Sequence, residues 1–199
     1  MAESQLPPLG IRHLIALNHI LVRQKTRLIK NKYKVLAPDG SELLYAKEDS
    51  SVLNAMLGGS QRSFHIDIFD MENKEVITLR RPFTFGPDKM DVSVCGTLAC
   101  VVRQKSTFLK PVLTINDAVD RPVLKIKGPI GRTGICDFDI LTLDKRQIGV
   151  IRKKWNGMLQ ELLTDIDSYE IHFPLDLDVR YKAAVIGACF LIDFLFYEI

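Results

Sequence analysis

The chain has 199 residues, 47% of them hydrophobic and 26% charged, with a formal net charge of +3. That suits one domain with a sizeable core, and the positive balance is too small for a broad nucleic-acid-binding patch. The four cysteines, Cys95, Cys100, Cys136 and Cys189, form no C-x-x-C pair and no metal-ligand spacing with histidine, so they read as reduced thiols.

Residues 1–10 read as a short disordered lead, without a signal-peptide pattern and without a glycine at position 2 for myristoylation. The expectation is a chain in the cytosol, or bound to a membrane from its cytosolic side. Ile11 to Val22 is mostly apolar and fits either a short helix or a long strand. Tyr33–Leu36 and Glu42–Ala46 flank Pro38-Asp39-Gly40-Ser41, a strong hairpin signal. Val52 to Arg62, with Gly58-Gly59-Ser60-Gln61, reads as a connecting loop.

Alternation then takes over. Phe64, Ile66 and Ile68 face one way, and His65, Asp67 and Phe69 the other. Asp70 to Lys74 turns the chain into Glu75–Leu79. Further strands are predicted at Met90–Val94, Leu98–Gln104, Val112–Asn116, Val123–Lys127, Phe138–Leu143, Ile148–Lys153, Leu159–Thr164 and Tyr169–Phe173. About a dozen short strands, with no strand–helix alternation, indicate a sandwich or barrel rather than a parallel sheet.

The last segment, about 178–197, predicts one helix that is apolar on all sides: Val185, Ile186, Cys189, Phe190 and Phe194 have no water-facing partner stripe. Such a helix is buried in protein or in lipid. From Ala183 to Tyr197 it spans roughly 22 Å, short of a bilayer core of about 30 Å, and Asp193 interrupts it at a cost in hydrocarbon. Length and charge favour protein. Asp178 is placed to cap its start, with Asp176 adding negative charge there. The fold class expected is mainly β: a closed antiparallel barrel of about a dozen strands, over residues 11–199, wrapped around this central helix, with closure removing exposed sheet edges.

Several stretches carry a resemblance. Asp165 to Asp178 followed by Lys182 to Phe194 resembles the C-terminal signature of the phospholipid scramblases; Asn31-Lys32-Tyr33, Glu75–Leu79 with Arg81-Pro82, Leu124 to Pro129 and Asp137 to Ile140 agree with it. The resemblance covers roughly residues 31–197. It implies a tubby-like barrel around a C-terminal helix, and calcium-stimulated, ATP-independent, bidirectional movement of phospholipids between leaflets. It also implies links to nuclear import and to DNA.

The resemblance places a calcium segment on Asp165 to Asp176. Asp165, Asp167 and Asp176 occupy positions one, three and twelve of a helix-loop-helix calcium loop, but Glu170 stands where glycine is needed and Asp176 where a bidentate Glu is usual. Tyr169, Ile171 and Phe173 alternate with polar residues as in a strand, so calcium binding here would be weak. Arg152, Lys153, Lys154 and Trp155 match the family's import stretch; they fit an acidic groove of import machinery, nucleic acid, lipid headgroups or simply a solvated turn. The family's cysteine run after Arg-Pro is replaced by Phe83-Thr84-Phe85-Gly86-Pro87-Asp88, leaving Cys95 and Cys100 as isolated acylation candidates. The four histidines are scattered, and no catalytic constellation emerges.

Two functions remain. One is a scramblase of the plasma membrane or another membrane, in which the helix leaves the core and Lys182 and Asp193 approach hydrocarbon. The other is a non-transporting adaptor that binds anionic headgroups or signalling proteins at the cytosolic face, with cytoplasm and nucleus as further locations.

Overall fold

A computed structural model describes residues 9–24, 31–48, 63–107, 110–130, 136–154 and 168–197. The predicted strand Leu159–Thr164, the loop Val52–Arg62 and residues 1–8 of the predicted lead lie outside them. Leu9 and Gly10, assigned to the lead from sequence, begin a 3-10 helix, Leu9–Leu14.

Twelve strands follow: β1 (His19–Gln24), β2 (Asn31–Leu36), β3 (Glu42–Glu48), β4 (Phe64–Asp70), β5 (Glu75–Arg81), β6 (Lys89–Val94), β7 (Thr97–Lys105), β8 (Val112–Asp117), β9 (Pro122–Lys127), β10 (Cys136–Thr142), β11 (Gln147–Lys154) and β12 (Ser168–His172). Each pairs antiparallel with its neighbours in the chain, and β1 pairs with β12 to close the barrel. The ambiguous stretch Ile11–Val22 is thus both of its alternatives in turn, a short helix and then a strand. The predicted alternation holds, with Phe64, Ile66 and Ile68 pointing inward.

The two ends of the barrel differ. At one end the hairpins are tight. Four share one design, in which residue i donates its N–H to the carbonyl of i+4 and accepts from i+3: Ala37–Ser41, Asp70–Lys74, Asp117–Arg121 and Thr142–Arg146. The residue at i+3 (Gly40, Asn73, Asp120 or Lys145) has positive φ, which closes the turn with the right-handed twist of the strands. Asp70 and Asp117 each accept two further backbone N–H bonds through Oδ1. The fifth hairpin turns on Cys95 and Gly96, both at positive φ. Among the described residues, the connection 82–88 at the opposite end is longer.

Helix α1 (Val179–Phe196) enters at the tight-hairpin end and runs inside the barrel. Asp178 caps it, accepting from the N–H of Arg180 at 2.8 Å. Its side chains meet strands all round: Phe190 stacks on Tyr33 of β2, Phe194 tilts against Phe64 of β4, Phe196 against Phe138 of β10 and Tyr197 against Tyr169 of β12. Enclosure on every side explains a helix with no polar stripe. The 3-10 helix closes the entry end with Ile11 and Leu14 fully buried.

Candidate functional site

The helix residues expected to lie in core or membrane, Val185, Ile186, Cys189, Phe190 and Phe194, are all buried at 3% exposure or less, in the barrel's protein core. Burial pushes the Cys189 thiol well above the usual range. The two charges that a membrane reading would bring to hydrocarbon are satisfied inside the protein. Lys182 Nζ donates to the carbonyls of Leu14, Ile15, Leu17 and Leu175 at 2.7–3.2 Å. Asp193 accepts from Tyr33 Oη at 2.6 Å and Tyr169 Oη at 2.7 Å. Buried charges persist only when hydrogen-bonded in this way, so these pins hold α1 at both ends. Two inward cations sit near its C-terminal half, where the helix dipole is negative: Arg81 over the Phe194 ring at 4.8 Å and Lys153 over the Tyr197 ring at 3.9 Å. Among the described residues no helix is long and apolar enough to cross a membrane.

In the segment expected to bind calcium, Asp165 and Asp167 lie outside the described residues. Asp176 is exposed in the turn before α1. Between them Ser168–His172 is strand, paired on both edges, with Tyr169 and Ile171 inward. A five-residue strand spans about 14 Å, whereas oxygens sharing one calcium ion lie within about 5 Å of each other. The described part of the segment, a strand followed by a turn, is therefore not the continuous loop that a twelve-residue calcium site uses.

The strand instead turns Glu170 and His172 outward, where the sequence alone shows no cluster. His19 is the cross-strand partner of His172, and the two rings stack at 4.1 Å and 13°. His19 Nε2 lies 2.8 Å and His172 Nε2 3.4 Å from Glu170 Oε1, while Lys154 Nζ lies 3.0 Å from Glu170 Oε2. Burial, then the neighbouring His172 ring, lowers the His19 pKa despite Glu170. The Glu170-x-His172 spacing was the only sequence signal; its third member appears only once β1 and β12 pair.

Arg152, Lys153 and Lys154 continue β11 rather than forming a turn, and Trp155 lies outside the described residues. Arg152 pairs with Asp137 through Nε and Nη2 at 2.9–3.1 Å, Lys154 pairs with Glu170, and Lys153 is turned into the core. The folded chain therefore does not offer these three as one basic stretch. Of the acylation candidates, Cys95 is exposed, whereas Cys100 is buried and its thiol is pushed up to about 12 by desolvation.

At the long-loop end, Phe85 is 97% exposed beside Phe83, with which it makes an edge contact. Ile130 is exposed on a second loop of that end. An open groove of about 630 Å³ runs beside Phe85, lined also by Gln104, Lys105, Lys110, Pro111 and Phe196.

A closed twelve-strand barrel holding its C-terminal helix defines the class of protein. The Scramblase family model matches residues 2–199, and the chain belongs to that family. It is 35% identical to phospholipid scramblase 2 of Bos taurus over 98% of this chain and 75% of that protein. It is also 35% identical to phospholipid scramblase family member 5 of Homo sapiens, over 97% and 78% of the two chains. Identity to human phospholipid scramblase 1 is again 35%, over 96% and 66%. No solved structure matches it.

Proposed function

We propose that this chain acts on membranes by moving phospholipids between leaflets, in both directions and without ATP or covalent chemistry. The observation that carries the reading is the match to the Scramblase family along nearly the whole chain. The long-loop end suits contact with a bilayer: aromatic side chains favour the interface, and Lys105, Lys110 and the exposed Lys127 attract anionic headgroups. Translocation would require a polar path through about 30 Å of hydrocarbon, which a closed barrel supplies only after α1 gives up the Lys182 and Asp193 pins. Calcium stimulation belongs to the same reading; of its three candidate carboxylates, Asp176 lies among the described residues, exposed in the turn before α1. The test is reconstitution of the full chain in vesicles carrying a fluorescent lipid in one leaflet, with and without calcium and without ATP. Loss of leaflet asymmetry above that of empty vesicles supports translocation; none, beside a working control scramblase, overturns it.

A second reading is favoured by the satisfied pins: an adaptor that binds anionic headgroups, or signalling proteins at the cytosolic face of the plasma membrane, and moves no lipid. In flotation with phosphatidylserine vesicles, binding reversed by salt supports the adaptor, and retention after carbonate washing supports insertion. Phe85→Ser is expected to weaken the binding in either case.

A further inference from the structure

Neither functional reading uses the side chains gathered on the outer face of the seam where the barrel closes. His19 opens β1 and His172 ends β12, directly opposite each other. Glu170 is two residues before His172 and therefore on the same face. One ligand atom from each of the three lies within 4.8 Å of the others. Atoms bound to a single zinc ion at about 2.0–2.2 Å stand roughly 3.4 Å apart; His172 Nε2 already stands 3.4 Å from Glu170 Oε1, whereas His19 Nε2, in hydrogen-bond range at 2.8 Å, must open slightly to admit the ion. We propose that His19, Glu170 and His172 form a three-ligand site for a borderline divalent transition metal, with zinc the matching ion, which staples the first strand of the barrel to the last.

The donor set selects the ion. Two imidazoles and one carboxylate suit zinc, with water completing its coordination, whereas calcium takes six to eight oxygens. The stacked rings must turn about their own torsions to aim both lone pairs at one ion, and the 43% exposure of the His172 side chain leaves room for this. Lys154 holds Glu170 Oε2, so Oε1 faces the rings. Its ammonium also repels a second cation, which limits affinity. An ion bound across β1 and β12 favours the closed barrel by linkage, because the unfolded chain does not hold the three ligands together. The site stands whether or not the chain moves lipid.

The test uses the full chain stripped with chelator. Zinc is titrated by calorimetry, cobalt by its visible absorption, and thermal unfolding is followed with and without zinc. One zinc per chain and a Tm that rises with zinc concentration are expected. His19→Ala and His172→Ala should each weaken zinc by more than about tenfold and remove the Tm rise, while their metal-free unfolding shows that they fold. Lys154→Met should tighten zinc, whereas a purely structural ion pair would only lose stability. His65→Ala and Cys95→Ser, which remove another histidine and the exposed thiol, should leave binding unchanged. No zinc uptake at micromolar concentration, uptake that survives in both His variants, or displacement of cobalt by calcium would overturn the proposal.

Discussion

At the scale of single residues, stability rests on charges placed where neutral side chains would be expected. Tyr33 gives Asp193 a hydrogen bond at 2.6 Å and stacks on Phe190. Tyr33→Phe keeps the ring and deletes the bond, so it should cost about 1.5–3 kcal/mol in urea unfolding. Asp178 tests the entry of the helix. Hydrogen bonds from the Arg180 side chain hold its carboxyl below the usual 3.8. Asp178→Ala should cost about 1 kcal/mol at neutral pH, and Asp178→Asn less, because Asn still caps. A depressed folded pKa gives stability that is fully present above the unfolded value and is lost as pH falls through the folded one. The gap between wild type and Asp178→Ala should therefore be constant at neutral pH and close in acid below 3.8. A gap that widens in acid would contradict this sign.

At the scale of elements, legibility followed local rules. Strand alternation from Phe64 to Phe69 and the Pro38–Ser41 hairpin were readable because period and turn chemistry are local. His19–Gln24 was not separable from the 3-10 helix, because nothing in an apolar run marks where one ends. The burial of Lys153 was not readable either: its inward face is set by the β11 register against β12, and its neighbours on both sides are exposed cations. Two glycines give the element-scale prediction. A Cβ at Gly149 would stand 2.3 Å from the backbone oxygen of His172, in the neighbouring strand. One at Gly187 meets only side-chain ends, Leu79 Cδ2 at 2.9 Å and Met90 Cε at 3.1 Å. Gly149→Ala should cost about 1–3 kcal/mol or more. Gly187→Ala should cost less, since alanine returns roughly 1 kcal/mol of helix propensity. Chemical denaturation of the two variants side by side checks the order.

At the scale of the molecule, the barrel resolves a contradiction in the sequence. A helix apolar on every face is costly in water, and α1 is short and charged for lipid; twelve strands give it a third environment. Its two polar pins then make removal of the helix a concerted event, since four carbonyls and two phenols lose their partner together. The candidate site was less legible than the fold. The apolar run of α1 was readable from hydropathy, with its length and Asp193 favouring protein over lipid, whereas the His19–Glu170–His172 cluster joins residues near opposite ends of the sequence and needed the closure of the sheet. The most direct test of the enclosed helix is the reactivity of the Cys189 thiol in detergent-free buffer across a urea titration. The account predicts a chain that stays in solution, with Cys95 reacting at once and Cys189 reacting only as the barrel unfolds. Reaction of Cys189 in native buffer, or a chain that leaves solution unless detergent is present, would contradict it.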